Sequence, residues 1–550
     1  MAVIDRSEVP VPPATTCRLE VARRRRDGAD ARVDGFDGFD VPVHEGMTLL
    51  DALCWSQLHR DPTLTVRHSC LHASCGTCGM RVDGREQLAC VCMLAGHGDT
   101  IRVQPLENLP AVSDLVVEMG PFYERLPAEH PLIRVSDALP DARPPAGHDA
   151  YGRLEDCIEC ALCFSACPVA GSDFVGPAAL QAAHRLLQEP RGAAPADVLA
   201  WAARPQGVWQ CTTCRACVDA CPVGIAPLDA IVDLRRALVE RGEIEPLLAQ
   251  TLQKVARQGN AYGKSARTRA RWTSELDFAI ADARREQVQY VWFVGDDASF
   301  DERVQHDSQR LARILHGAGV SFGLLYDGEH NAGNDVRRVG DEGLFAMLAE
   351  HNLAVLADVA CEAIFTTDPH SLNTLRNEYP RYGLDTPVYH HTELLRDLVA
   401  SGRLPLRAAL AGTRVTYHDP CYLARHNAIT DAPRALIAAT GAELVEMPRH
   451  GAETFCCGAG GGRIWMGDSG SDLDAGERPS EQRIREAQTL GDLAFFVVSC
   501  PKDLTMYTAA AQSVGGVDFE VIELTALLEF ALEGSGLDPR RPRTPTSRRN

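Results

Sequence analysis

The stretch CIECALCFSACP, residues 157–168, returns as CTTCRACVDACP, residues 211–222. Both read C-x2-C-x2-C-x3-C-P. In this spacing three thiolates from one tight turn bind one 4Fe–4S cluster, and the fourth cysteine of each run binds the other cluster. One expected ligand set is Cys157, Cys160, Cys163 and Cys221. The other is Cys211, Cys214, Cys217 and Cys167. Two complete copies leave little room for chance or for zinc.

Upstream, CLHASCGTCGMRVDGREQLAC places Cys70, Cys75, Cys78 and Cys90 at C-x4-C-x2-C-x11-C. This is the plant-type 2Fe–2S pattern. Two ferric ions need four thiolates, three of them from one loop. The small residues Ala73, Ser74, Gly76 and Gly79 let backbone N–H groups approach the sulfurs and tune the potential. Zinc ligands favour C-x2–4-C pairs, and zinc is the weaker reading of this run. Cys92 lies outside the pattern and reads as a packed thiol. Two interlocked cubes and a 2Fe–2S centre in one chain suit one task, a wire for single electrons.

Downstream, FCCGAGGG (Phe455–Gly462) sets two cysteines side by side before a glycine run. HDPCYLARHN adds Cys421 and SCPKD adds Cys500. Adjacent cysteines can aim both thiolates at one metal only where the backbone turns sharply, which Gly458 and Gly460 permit. A zinc site and a redox thiol pair are the weaker readings. Tyr422, Arg425 and His426 are candidates to line the site or merely to pack. His418 reads as structural. GAGGG does not complete G-x-G-x-x-G, because Arg463 holds the sixth position, and no acidic ribose partner is evident. No FAD or NAD site is expected.

Around these motifs the pattern implies a multidomain α+β chain. A β-grasp 2Fe–2S ferredoxin domain is expected over 16–112, opening with two strands, with an α-helical ferredoxin domain carrying two 4Fe–4S clusters over 113–240. A basic helical connector (241–290) leads to two α/β modules, 291–400 and 410–532, where strand-like runs alternate with helical ones. The two modules read as a degenerate repeat: VWFVGDD parallels VTYHDPC, HNAGN parallels CCGAG, and TTDPHSLNTL parallels VSCPKDLTMY. Asp297, Ala332 and Asp368 stand in the first copy where cysteines stand in the second, so no cluster is expected there. Cys361 is off-pattern and expected to be buried; Cys17 and Cys54 are also left over. Residues 533–550 read as a disordered tail.

Net charge is −20, which argues against nucleic acid. The basic spots are local, Arg23–Arg26 as a solvated strand end and the tail. No apolar run reaches the roughly 18 residues of a membrane span, and the first residues lack the apolar stretch of a signal peptide. The 20 cysteines are clustered, which in a reducing compartment indicates metal ligands. A cytoplasmic location is expected, with any membrane contact peripheral on the inner face.

Over residues 16–235 the chain resembles the iron–sulfur subunits of succinate dehydrogenase and fumarate reductase, in DPTLTVRHSC, CGTCGM, QLAC, VQPLENLPAVSDLVVEM and the two cysteine runs. That family usually lacks the second cysteine of the second run and holds a 3Fe–4S centre there. Here the position is Cys214, so 4Fe–4S is implied. Over 290–530 the chain resembles the cysteine-rich CCG domain of heterodisulfide reductase subunits. That motif ends C-P-x-C, and here Asp503 holds the last place. The resemblance implies an iron–sulfur centre on Cys421, Cys456, Cys457 and Cys500, with Asp503 as an oxygen ligand. The fusion looks like the iron–sulfur subunit of thiol:fumarate reductase. It implies an electron-transfer subunit, inactive alone, working between an FAD-containing flavoprotein and a quinone or a thiol–disulfide couple, with or without a membrane anchor subunit. Two rivals are an iron–sulfur subunit of lactate or glycerol-3-phosphate dehydrogenase type and a non-enzymatic iron–sulfur sensor or scaffold.

Overall fold

The computed structural model describes residues 15–24, 35–127, 153–188, 195–467 and 477–533. The chain divides into two compact units: Met1–Val208 with Ala216–Ile231, and Trp209–Arg215 with Val232–Asn550.

The first unit opens with β1 (Thr15–Arg23) and β2 (Gly35–Val43), paired antiparallel over their full length. β3 (Gly79–Val82), β4 (Arg85–Leu88) and β5 (Thr100–Gln104) complete a sheet of order β2-β1-β5-β3-β4, in which β1 and β5 run parallel. Alternation drives it: Leu19, Val21, Val41, Ile101 and Val103 are all fully buried. The helix Leu49–His59 starts at a capping box between Thr48 and Asp51 and buries Leu49, Leu50, Ala52 and Leu53. Arg23, expected on a solvated strand end, is 5% exposed. Its guanidinium reaches Asp114, Asp37 and Asp61 at 3.1, 3.2 and 2.6 Å. Arg24 is the last residue described there; Arg25 and Arg26 lie outside the described residues.

The helical part does not begin at residue 113. β6 (Ala111–Ser113) and β7 (Val116–Val117) form a hairpin, turning through Asp114 at φ +42°. The β-branched valines favour strand there. Helices Pro177–Gln188 and Pro195–Ala203 follow, the first burying Ala179, Leu180, Ala183 and Leu186 on one face.

In the second unit the connector is less helical than its sequence suggests. One helix, Pro246–Gln258, ends at left-handed Gly259, and only short 3-10 turns follow. Two parallel sheets come next. β8 (Ala281–Asp282), β9 (Tyr290–Trp292), β10 (Phe322–Leu324), β11 (Ala363–Thr366) and β12 (Val388–His390) take the order β12-β11-β9-β10-β8. β13 (Arg414–Tyr417), β14 (Glu443–Leu444), β15 (Phe495–Val498) and β16 (Glu520–Glu523) take the order β14-β13-β15-β16. Set β8 aside and both sheets follow one path: the second strand lies outside the first, the chain crosses to the third, and the fourth closes the far edge. The repeat in sequence is therefore a repeat in topology. β11 and β15 are buried along their whole length, as strands covered on both faces must be.

Among the described residues no helix is long and apolar enough to cross a membrane. The tail from residue 534 lies outside them.

Candidate functional site

In the first unit the Cys70–Cys78 loop turns its amides inward. Leu71 and Ala73 adopt φ +65° and +61°. The N–H groups of His72, Ser74 and Cys75 donate to Cys70 Sγ at 3.5, 3.3 and 3.3 Å, and that of Ala73 to Cys90 Sγ at 3.3 Å. These donors favour the thiolate. Cys70 is held down to about 7, the His72 amide being the largest cause, and Thr77 lowers Cys75 through its hydroxyl. Burial pushes Cys78 up to about 12.

Cys157, Cys160, Cys163 and Cys221 line one apolar cavity in the same unit. Burial raises Cys160 to about 11 and Cys163 well above the usual thiol range. Glu159 and Ala161 are left-handed, at φ +52° and +61°. In the second run Thr213 and Arg215 hold the same places at φ +55° and +70°. Of the second expected ligand set, Cys167 and Cys217 belong to the first unit and Cys211 and Cys214 to the second.

Gly76 (φ +71°) is constrained as well by its neighbour. A Cβ there would lie 2.7 Å from Cys160 Cβ and 2.9 Å from its Cα. A cavity of about 60 Å³ between the two loops is lined by Cys75, Gly76, Thr77, Glu159 and Cys160, among others.

In the second unit Cys421 opens the helix Cys421–Asn427 just after β13, and Cys500 caps the helix Pro501–Val514 just after β15. Carboxyl ends of parallel strands at a topological crossing are where α/β sheets place their sites. Cys421, Cys456, Cys457 and Cys500 are 7%, 2%, 5% and 2% exposed. The thiols of Cys214, Cys421 and Cys457 donate to Cys456 and hold it well below the ordinary thiol range, Cys214 first among them. Cys421 and Cys457 are raised, chiefly by that same bond to Cys456. Burial raises Cys500. The Gly458 amide donates to Cys456 Sγ at 3.3 Å.

Asp503 completes this pocket. Its carboxylate accepts from Cys457 and Cys500, and burial pushes it up to about 7. Its Oδ2 has no hydrogen-bond partner and lies 3.6 Å from His418 Nε2. His418 is buried against Tyr507 and Arg483. Four buried thiols and an orphaned carboxylate oxygen fit an iron–sulfur centre, since soft thiolate donors select iron–sulfur clusters and zinc.

The glycine run has a second role that the sequence reading missed. Gly458 turns the chain at φ +92°. Gly460 instead lies where a Cβ would collide with the Thr212 carbonyl oxygen, and a Cβ on Gly461 would lie 2.7 Å from Thr213 Cγ2 and 3.0 Å from the Cys211 carbonyl oxygen. The backbone of this run is thus pressed against the Cys211–Cys214 loop. Tyr422, Arg425 and His426 hold the same loop. Arg425 donates to the carbonyls of Cys214 and Ala452, both at 2.9 Å, and to that of Thr454. The Tyr422 hydroxyl meets Thr213 Oγ1 at 2.8 Å, and His426 Nε2 meets the Thr213 carbonyl at 3.1 Å. Fully buried Arg235 binds the carbonyls of Cys211 and Gly461 at 2.7 and 3.1 Å. Its signal was legible: it occupies a core-facing place beside Leu228, Ile231 and Leu238.

Cys92 is buried with Sγ 3.3 Å from His97 Nε2, and Cys17 is buried. Cys361, expected to be buried, is partly exposed. It stands between the helix Glu342–Leu356 and β11, at the rim of the sheet.

Three family models match the chain. Residues 18–124 match the 2Fe–2S iron–sulfur cluster binding domain, 153–225 the 4Fe–4S dicluster domain and 415–502 the cysteine-rich CCG domain. The fumarate reductase iron–sulfur subunit of Mycobacterium tuberculosis is 36% identical over 221 residues, 39% of this chain and 89% of the relative. The chain belongs to this family of iron–sulfur subunits, extended by a cysteine-rich domain. A subunit of the CoM/CoB fumarate reductase of Methanothermobacter marburgensis is 27% identical over 508 residues, 90% of this chain and 95% of the relative. A probable iron–sulfur-binding oxidoreductase of Bacillus subtilis is 38% identical over 335 residues, 58% of this chain, and the EtfAB:quinone oxidoreductase of Syntrophomonas wolfei 33% over 333 residues, 59% of this chain. The chain spans 46% of the length of each of these two. A hypothetical protein from Helicobacter pylori shares the fold, with a TM-score of 0.57 at 12% identity over 96% of this chain and 97% of its own.

Proposed function

We propose that the chain is the electron-transfer subunit of an oxidoreductase complex of succinate dehydrogenase or fumarate reductase type. It would work between an FAD-containing flavoprotein and a quinone or thiol–disulfide acceptor. The proposed ligands are Cys70, Cys75, Cys78 and Cys90 for a 2Fe–2S cluster. Cys157, Cys160, Cys163 and Cys221 would hold one 4Fe–4S cluster, and Cys211, Cys214, Cys217 and Cys167 the other. Cys421, Cys456, Cys457 and Cys500 would hold a further iron–sulfur centre, with Asp503 beside it. Bound clusters supply one-electron transfer. The residues do the positioning: inward amides favour the thiolates around Cys70, and Gly460, Gly461, Arg235 and Arg425 hold the Cys211–Cys214 loop against the paired cysteines.

The observation that carries this reading is the contact of Cys456 with the second ferredoxin-type run, its Sγ donating to Thr212 Oγ1 at 3.5 Å. It joins the second ferredoxin-type run to the CCG site with no intervening residue. A dead-end store of iron would not need that contact.

The test is stopped-flow reoxidation of the dithionite-reduced protein by a water-soluble menaquinone analogue, and separately by a mixed disulfide. One of the two should reoxidise wild type rapidly and Cys456→Ser slowly. Equal rates in both proteins with both oxidants would refute the CCG exit. The isolated chain should show no succinate or fumarate turnover.

The EtfAB:quinone oxidoreductase relative favours a second reading. The wire is kept, the donor is an EtfAB-type flavoprotein and the acceptor is quinone. Reduction by such a donor without any dicarboxylate-oxidising partner would select it.

A further inference from the structure

The second repeat sends a side chain into the first. Asp368-Pro369-His370-Ser371 follows β11 as Cys500-Pro501-Lys502-Asp503 follows β15, each at the start of a helix. His370 and Lys502 thus hold equivalent places, and both line the first repeat's cavity. Donor atoms of His370, Asp368 and Cys500 lie within 4.8 Å of one another. Lys502 is 5% exposed. It enters a polar cavity lined by Asp297, Ala332 and Asp368, the three positions that correspond to Cys421, Cys457 and Cys500.

Within that cavity Lys502 Nζ lies 2.7 Å from Asp335 Oδ2. Asp297 and Asp368 also line it, and Asp297 accepts from the Tyr262 hydroxyl at 2.8 Å. Asp296, also in the lining, is neutralised separately by Arg269 at 2.8 Å. Three carboxylates therefore face one ammonium. Lys502 and Asp335 thus form an ion pair, with Asp297 and Asp368 in the same lining. Asn334 fixes His370 on its other side: Nδ2 donates to His370 Nδ1 at 3.0 Å, while Oδ1 accepts from Asn373 and Thr374.

We propose that Lys502 is a positioning residue for charge: its ammonium fills the seat that the first repeat no longer gives to a cluster, and raises the reduction potential of the centre held by Cys421, Cys456, Cys457 and Cys500. This rests on the reading of those cysteines as a cluster site. The physics is direct. Reduction adds negative charge beside a fixed buried cation, and a low-dielectric interior screens that attraction poorly. The degenerate repeat is then the electrostatic half of the site, its carboxylates setting how much of the ammonium's field the centre feels.

The test is a mediated redox titration followed by EPR, with iron analysis, on wild type, Lys502→Met, Lys502→Arg, Asp335→Asn and the double variant Lys502→Met/Asp335→Asn. With iron content unchanged, Lys502→Met should shift the CCG midpoint to a more negative potential and Asp335→Asn to a more positive one. Lys502→Arg should stay near wild type, and the double variant should fall between the singles. Should Lys502→Met fail to fold, the sign of the Asp335→Asn shift decides. Two single variants that leave the midpoint in place, or shift it the same way, overturn the proposal. Wild type and Cys457→Ser with equal iron would instead sink the underlying cluster reading, and the proposal with it.

Discussion

A Cβ on Gly76 would lie 2.7 Å from the Cβ of Cys160. The 2Fe–2S loop and the first 4Fe–4S loop therefore touch backbone to backbone. Gly460 and Gly461 meet Thr212 and Thr213 in the same manner in the second unit. At these two junctions glycine removes the side chain that would hold the loops apart. Electron transfer weakens steeply with distance, so close approach is the property such a chain must protect.

Gly76→Ala should then destabilise the protein by about 1–3 kcal/mol through overpacking, with further cost from the left-handed backbone. Gly96→Ala, where a Cβ meets nothing within 4 Å, should change stability by less than about 0.5 kcal/mol. Denaturant midpoints of the two variants make the comparison. Equal shifts would contradict the close-approach argument.

Arg425→Met should withdraw a donor from the carbonyls of Cys214, Ala452 and Thr454. Leaving buried acceptors short costs about 1–3 kcal/mol. EPR should show altered line shape for the 4Fe–4S centre proposed to include Cys214 and an unchanged 2Fe–2S signal. A changed 2Fe–2S signal with an untouched 4Fe–4S line shape would place the role of Arg425 elsewhere.

Arg269 is buried between Asp296 and Glu329, at 2.8 and 2.9 Å. Glu329 also accepts from the amides of Val294 and Gly295 at the end of β9. Arg269→Met should cost about 3–5 kcal/mol, because it strands two buried carboxylates. The double variant Arg269→Met/Glu329→Gln should recover part of that loss in a thermal melt.

His330 stacks on His351 with ring centroids 3.5 Å apart. Burial, then the neighbouring imidazole, lowers its pKa to about 4. An unfolded histidine titrates near about 6.5. Between these values the unfolded chain binds the extra proton, so acid favours unfolding and stability is lost as pH falls from about 6.5 toward 4. Other buried histidines act in the same direction, so His330→Gln should flatten the slope of the denaturant midpoint against pH without abolishing it.

The cysteine clusters were legible because ligand spacing is a local property of the chain. The α/β repeat was legible because its strands are apolar runs bounded by turn residues. What escaped was either very short or long-range. β8 has only two residues, and left-handed Glu159 and Thr213 carry no glycine to announce them. Lys502 and Arg23 look like surface residues in the sequence; only the carboxylates that the fold brings to them account for their burial. Gly460 was read as a turn residue, although its constraint is a neighbour more than 200 positions away, since its close contact is Thr212.

The most direct measurement is iron and sulfide analysis with EPR on anaerobically purified wild type and Cys457→Ser. The account predicts about 14 irons in wild type from the ligand count, and loss of one 4Fe–4S signal alone in the variant. About 10 irons in wild type and an identical spectrum in Cys457→Ser would show that the paired cysteines hold no iron, and the exit would have to lie at the ferredoxin-type clusters.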